Sequence, residues 1–292
     1  MNVLMTGGSG LIGSAVTRAL RSRGDRVMLM SHRAGSGDLT WSPEEGAGPG
    51  RWPEADAVVH FAGTPVAGRW TKNRRRSIRD SRVNGARLLA AAVAEGSLKT
   101  SRIVSASAVG YYGDRGDEEL DESAPPGEGF LATVCQEWED AWAPAEDAGV
   151  AVARMRFGIV LSGRGGALPP MLRAARFGLP VRLGSGSQFM SWIGLADAVR
   201  AALWLLDHPE VGPVVNAAAP NPVRNTEWAE RLRERTGGPF VTSAPAPLLK
   251  LAAGDMAREM LLASVRAVPK TLEDGGFTFG TPGLAEALDA DE

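Results

Sequence analysis

The sequence predicts an α/β protein: a Rossmann doubly wound parallel sheet with a smaller C-terminal substrate-side domain. Three observations carry that reading. A short apolar strand pattern at residues 2–6 runs straight into Gly7-Gly8-Ser9-Gly10-Leu11-Ile12-Gly13. An amphipathic helical pattern follows at once. Strand and helix patterns then alternate up to residue 156, as βαβ units around a parallel sheet do.

Residues 2–6 are short, apolar and ended by glycine, the signature of a buried parallel strand. Leu11, Ile12, Ala15, Val16, Ala19 and Leu20 recur at helical spacing over 11–23, and Gly24 is the stop. Residues 26–31 read as a second strand. Asp56 to Phe61 reads as a third, with Ala57, Val58 and Val59 as its core. A long helix is expected over 74–95, carrying Val83, Ala86, Leu89, Ala90 and Val93. Ile103-Val104 begins a strand that ends at Ser105-Ala106-Ser107. Residues 131–148 read as one helix, and Val150 to Arg156 as a strand.

Beyond residue 160 the order is less regular. Gly163-Arg164-Gly165-Gly166 and Gly184-Ser185-Gly186-Ser187 are loops by composition. Helices are expected at 195–207 and 226–236, with a short strand at Val214-Val215-Asn216. Ala244 to Pro247 reads as a Pro-rich linker. Leu249, Ala253, Met256 and Met260 then mark an amphipathic helix. The expected division is a dinucleotide-binding domain over 1–160 and a substrate-side, helical domain over 161–292. A strand after residue 210 is a candidate to rejoin the sheet.

The bulk numbers exclude several classes. At 292 residues the chain is long enough for one large α/β domain and an appended unit. The net charge of −2 gives no global attraction to nucleic acid or an anionic membrane. Cys135 is the single cysteine, so no intramolecular disulfide forms, and a cytoplasmic location is expected. The start of the chain lacks the regions of a signal peptide, and no apolar run is long enough to span a membrane. Three histidines and one cysteine show no metal-ligand spacing, so no metal site is expected. Residues 69–82 hold Arg69, Lys72, Arg74, Arg75, Arg76, Arg79 and Arg82 against Asp80 alone. They read as a solvated helix face with one or two phosphate contacts rather than a nucleic-acid patch. Monomer and homodimer both remain open.

Gly7-x-x-Gly10-x-x-Gly13 sits between the first strand and the first helix. Glycines there allow a tight turn, close approach of a pyrophosphate and close helix–strand packing. The helix N-terminus offers free N–H groups and the positive end of its dipole. Gly7, Ser9, Gly10, Leu11, Ile12 and Gly13 are therefore candidate cofactor residues. An NAD enzyme places an acid at the end of the second strand, about 20 residues on, to hold the ribose. Here Ser31-His32-Arg33 stand instead, and no acid precedes Asp38. Arg33 can take a phosphate bidentately and Ser31 can donate to it. That favours NADP over NAD; the competing reading leaves Arg33 as a solvated loop residue.

With these residues in view, the chain resembles the extended short-chain dehydrogenase/reductases, and within them the atypical branch of epimerase family proteins. The resemblance runs over nearly the whole chain. Its segments include Gly7 to Gly13, His60-Phe61-Ala62-Gly63, Trp70 with Asp80-Ser81-Arg82, Ser105 to Gly113, Trp138-Glu139, Arg156 to Leu161, Gly165 to Leu168, Gly184 to Gln188, Ser191-Trp192-Ile193 and Asn216. Gly254-Asp255-Met256-Ala257 lies in a C-terminal segment characteristic of this branch. The resemblance implies that Phe61, Ala62 and Gly63 pass near the adenosine ribose. It brings Arg82 to the phosphates, sets Val160 beside the nicotinamide and makes Ser105 a cofactor contact. Gln188, Ser191 and Trp192 fall where the superfamily lines its substrate pocket. The branch often has Arg at position 32; this chain has His32.

Extended reductases use Ser or Thr, Tyr and Lys, with Tyr and Lys four residues apart on the helix after the Ser strand. That helix here begins Phe130-Leu131-Ala132-Thr133-Val134-Cys135 and has neither. The chain's two tyrosines, Tyr111 and Tyr112, follow Ser107 directly. Ser107, Tyr111 and Tyr112 are the catalytic candidates. A tyrosine of pKa near 10 is ionised to about one part in a thousand at pH 7. Bringing it to 7 takes roughly 4 kcal/mol, and no lysine is placed to supply it. A neutral tyrosine still donates a proton, which suits carbonyl reduction better than alcohol oxidation. The first expectation is an NADP-dependent oxidoreductase reducing a small carbonyl or sugar-nucleotide-like molecule. The second is a non-catalytic NADP-binding sensor. A sugar-nucleotide epimerase, which must both oxidise and reduce, ranks third.

Overall fold

Strand formation follows the apolar runs. A computed structural model describes residues 1–33 and 35–289. β1 (Asn2–Thr6) leads through the glycine loop into α1 (Leu11–Ser22), then β2 (Arg26–Ser31), β3 (Leu39–Thr40) and β4 (Ala57–His60). α2 (Lys72–Ala94) starts at Thr71, whose hydroxyl accepts from the Arg74 N–H. β5 (Arg102–Ala108), a 3₁₀ turn (Val109–Tyr112), β6 (Glu119–Leu120), α3 (Phe130–Asp140), α4 (Ala143–Asp147) and β7 (Ala151–Phe157) follow. The second half holds β8 (Ile159–Leu161), α5 (Leu168–Arg176), β9 (Pro180–Leu183), β10 (Phe189–Met190), β11 (Trp192–Gly194), α6 (Leu195–Asp207) and β12 (Val214–Ala217). Last come β13 (Val223–Arg224), α7 (Asn225–Thr236), β14 (Thr242–Ala244), α8 (Ala246–Ala253), a π-helical turn (Ala257–Leu261), β15 (Arg266–Ala267), α9 (Lys270–Asp274) and α10 (Leu284–Asp289).

The central sheet is parallel throughout, in the order β12-β7-β5-β4-β1-β2-β3. Side chains alternate between its two faces. Val3 and Met5 pack with Val16, Leu20, Ala198 and Leu205 of α1 and α6. Leu4 packs on the other face with Val83 and Leu89 of α2 and with Trp138 and Trp142. The strand order reverses between β1 and β4, so a crevice opens at their C-terminal ends, where such sheets bind ligands. The glycine loop leaves one side of that crevice and Phe61 the other. A third core, with Leu168, Trp192, Trp228 and Leu232, forms in the second half of the chain.

Several expectations change. The single helix over 131–148 is two, α3 and α4, broken at Ala141-Trp142; Pro144 fits only the first turn of the second. The stretch 244–247 is no linker: Ala244 ends β14, which pairs with β9, and Ala246 begins α8. The expected amphipathic helix of 249–260 is the short α8, with no buried residue, and a π turn. The acidic segment 114–122 is anchored to the core. Leu120 is fully buried, and β6 pairs with β15.

Candidate functional site

The glycine loop is shaped by close approach. Gly7 has φ +72°, and a Cβ there would lie 2.4 Å from the Phe61 carbonyl carbon. A Cβ on Gly13 would lie 2.1 Å from the Gly7 oxygen, so helix and loop touch backbone to backbone. Gly10 precedes α1 in extended conformation with no side-chain cap, and no acid stands in the first turn. The first N–H groups of α1, at Leu11, Ile12 and Gly13, are thus left for an anion. Gly166 crosses above, 3.1 Å from Leu11 if given a Cβ, so the loop after β8 covers the phosphate loop. That closure was not legible in the sequence, where Gly165-Gly166 marked only a turn.

From α2, Arg82 reaches the loop after β4. Its guanidinium lies 3.2 Å from a Cβ built on Gly63. Nη1 donates to the Thr64 and Ile78 carbonyls at 3.0 and 2.9 Å. Burial pushes this cation below its usual pKa range, with Arg74 adding repulsion and no carboxylate acting on it. A desolvated guanidinium that makes no ion pair among the described residues is suited to a phosphate oxygen.

At the end of β2, Ser31 accepts from the Arg33 N–H at 3.1 Å, and His32 and Arg33 are exposed. The Asp38 carboxylate is spent on the Leu29 N–H at 2.8 Å. Phe61 stands edge-on to Phe157, and Val160 lies in β8 beside β11.

The Ser strand carries a buried polar network. Ser107 donates to Glu139 Oε1 at 2.5 Å. Arg156 Nε and Nη2 clamp the same carboxylate at 2.9 and 2.8 Å. Arg156 Nη1 also donates to the Tyr112 hydroxyl, which donates to Asn216 Oδ1 at 2.7 Å. Tyr112 is fully buried, and desolvation pushes its phenol up to about 12. Of the two catalytic candidates Tyr111 and Tyr112, the structure places Tyr112 in the core. Tyr111 is half-buried, with its ring 3.4 Å from the Arg156 guanidinium carbon. Glu139 and Arg156 were legible only as motif positions. The missed signal is a pair of cations, Arg154 and Arg156, in the otherwise apolar strand β7, which demand buried partners.

Other candidates are tied to the protein itself. Ser105 is buried and accepts from Trp142 Nε1 at 3.0 Å. Gln188 donates to the Leu183 and Leu261 carbonyls, and Ser191 bridges Val265 and Ala267. Trp192 is fully buried with its indole N–H on Asn221. Gln188 and Ser191 thus tie the segment Leu261–Ala267 to β10 and β11. Cys135 is buried and its thiol is pushed up to about 12, so it is a small apolar group.

A family model described as the NAD dependent epimerase/dehydratase family matches residues 3–218. The chain belongs to that family. A second model, a domain of unknown function (DUF1731), matches residues 244–290. Among family members, an epimerase family protein of Mycobacterium tuberculosis is 41% identical over 290 residues, covering 98% of this chain and 96% of the relative. The human epimerase family protein SDR39U1 is 32% identical over 292 residues, covering 99% and 98%. The crystal structure of that human protein, solved with NADPH, superposes with a TM-score of 0.92 at 31% identity, over 100% of this chain and 99% of the other. The epimerase/dehydratase-family fold is thus kept whole, while the helix α3 that bears Tyr and Lys in extended reductases carries Leu131 and Cys135.

Proposed function

We propose that this chain binds NADP(H) and reduces a small carbonyl or sugar-nucleotide-like compound. The observation that carries the reading is the bare N-terminus of α1 behind the glycine loop, with Arg82, a desolvated cation without an ion pair among the described residues, against Gly63 on the neighbouring loop after β4. Gly7, Gly10, Gly13 and the N–H groups of Leu11 and Ile12 hold the pyrophosphate, with Ser9 at the loop's exposed tip. Phe61, Ala62 and Gly63 line the ribose side. Ser31, His32 and Arg33 stand where the 2′-phosphate belongs, and no acid competes there because Asp38 is engaged. The human relative SDR39U1, crystallised with NADPH, supports this choice. When bound, the nicotinamide supplies a hydride. Tyr111 is the tyrosine left to donate a proton to the substrate oxygen.

The test has two stages. NADPH and NADH are titrated against the wild type, Arg82→Met and Arg33→Ala. Arg82→Met should weaken both by tenfold or more; Arg33→Ala should weaken NADPH selectively. Unchanged binding in Arg82→Met refutes the reading. NADPH oxidation is then followed across a panel of carbonyl compounds, with Tyr111→Phe as the control.

One observation favours the non-catalytic alternative. Ser107 is already committed to Glu139, and Cys135 stands four residues after Leu131, so substrate orientation and tyrosine activation both lack their usual groups. Tight NADPH binding with no turnover on any carbonyl would select this sensor reading.

A further inference from the structure

The net charge of −2 conceals a local asymmetry. Residues 148–196 contain no Asp or Glu, and neither do residues 235–254. β9 and β14 bring these two segments together as a parallel pair, Pro180 beside Thr242 and Leu183 beside Ala244. The Thr242 hydroxyl donates to the Gly178 carbonyl at 3.0 Å, and a Cβ on Gly178 would lie 3.4 Å from the Phe240 ring. The C-terminal end of α5 and the start of β14 therefore share one small lobe, and α8 follows directly from β14.

This lobe exposes apolar side chains that the rest of the fold keeps inside. Phe177 is 72% exposed, Leu179 54% and Phe240 57%. On α8, Leu248 is 60% and Leu251 83% exposed, and no residue of that helix is buried. Cations are interleaved with them. Arg173 and Arg176 lie in the last turn of α5 and Lys250 on α8, all three exposed. None of them makes an ion pair among the described residues, whereas half of the chain's other arginines do. On the neighbouring α7, Glu230 and Glu234 are paired with Arg233 and Arg231 of their own helix.

We propose that this lobe docks on an anionic lipid surface, inserting Phe177 and the α8 leucines between headgroups held by Arg173, Arg176 and Lys250. Protruding apolar tips ringed by unneutralised cations fit a soft, negatively charged, apolar-cored surface. A second copy of the same face would set cation against cation. No described helix is long and apolar enough to cross a membrane, so the attachment is peripheral.

Co-sedimentation with phosphatidylcholine vesicles, with and without phosphatidylglycerol, tests this on the full chain. Binding should need phosphatidylglycerol and fall with added salt. Each cation removed should weaken it about fivefold, and Arg173→Glu/Arg176→Glu/Lys250→Glu together by more than about a hundredfold. Leu251→Asp should abolish binding with an unchanged melting temperature, since the residue makes no core contact. Equal binding to neutral vesicles, no sedimentation, or full retention by the triple variant overturns the proposal. So does a dimer in sedimentation equilibrium that Leu251→Asp dissociates.

Discussion

Glu139 holds Arg156 through two charge-assisted hydrogen bonds and takes a third, at 2.5 Å, from Ser107. Both charged side chains are under 10% exposed. The pair joins α3 to β7 beneath the crevice and supports Tyr111 and Tyr112 through the Arg156 guanidinium. Glu139→Gln leaves that guanidinium buried and uncompensated. It should destabilise the fold by about 3–5 kcal/mol. Ser107→Ala, which removes a neutral donor, should cost about 1–2 kcal/mol. Chemical denaturation of both variants measures the difference; equal losses would show that the ion pair carries no special weight.

The glycines of the phosphate loop should differ in kind. Gly13→Ala forces a Cβ to 2.1 Å from the Gly7 oxygen, which no side-chain shift relieves. It should lower stability by more than about 2 kcal/mol and abolish NADPH binding. Gly10→Ala meets its nearest atom, the Gly7 oxygen, at 3.3 Å. That variant should fold and lose only affinity. A thermal melt beside a fluorescence titration separates the two effects.

His60 gives the protein an acid weakness. Its Nδ1 meets the Thr6 hydroxyl at 2.8 Å, Nε2 has no hydrogen-bond partner among the described residues, and Trp41, Trp138 and Trp142 enclose the ring. Burial pushes its pKa from 6.5 down to about 3. Below pH 6.5 the unfolded chain takes up a proton that the folded chain refuses until about pH 3. Stability is therefore full above 6.5 and falls as pH drops through that window, at up to about 1.4 kcal/mol per unit. His60→Met should flatten this slope by about one proton. An unchanged slope in urea unfolding across that window would reject the assignment.

Tyr112 sets the alkaline edge. In Tyr111→Phe, Tyr112 is the sole tyrosine, and its phenolate band should rise near pH 12 rather than 10. Because the folded pKa is raised, this contribution to stability is full below pH 10 and is lost as pH climbs through 12. Ultraviolet titration reads it directly.

Asp197 anchors the end of the C-terminal segment. Its carboxylate accepts from the Gly280 and Thr281 N–H groups, the Thr281 hydroxyl and Arg200. Asp197→Ala should cost about 3 kcal/mol, because several part-buried donors lose one buried acceptor together. Faster proteolysis after residue 270 in this variant is the expected accompanying change.

The sequence by itself determined the sheet and the phosphate loop. Apolar runs in β1, β4 and β5 and the helical spacing of α1 are local patterns, and a glycine triplet between strand and helix has one economical geometry. It also determined that α3 lacks Tyr and Lys, since a missing residue needs no coordinates. Only the tertiary structure decided which polar residues face the crevice. Ser107, Tyr111 and Tyr112 are neighbours in sequence, yet a 3₁₀ turn buries one phenol, leaves the other half-exposed and commits the serine to Glu139. Gln188 and Ser191 lie in a polar stretch but serve the backbone of a segment some 75 residues away. The unpaired state of Arg82 and the meeting of two acid-free segments at β9 and β14 are likewise long-range facts. Burial and charge pairing depend on what the rest of the chain brings near, and that information is not local.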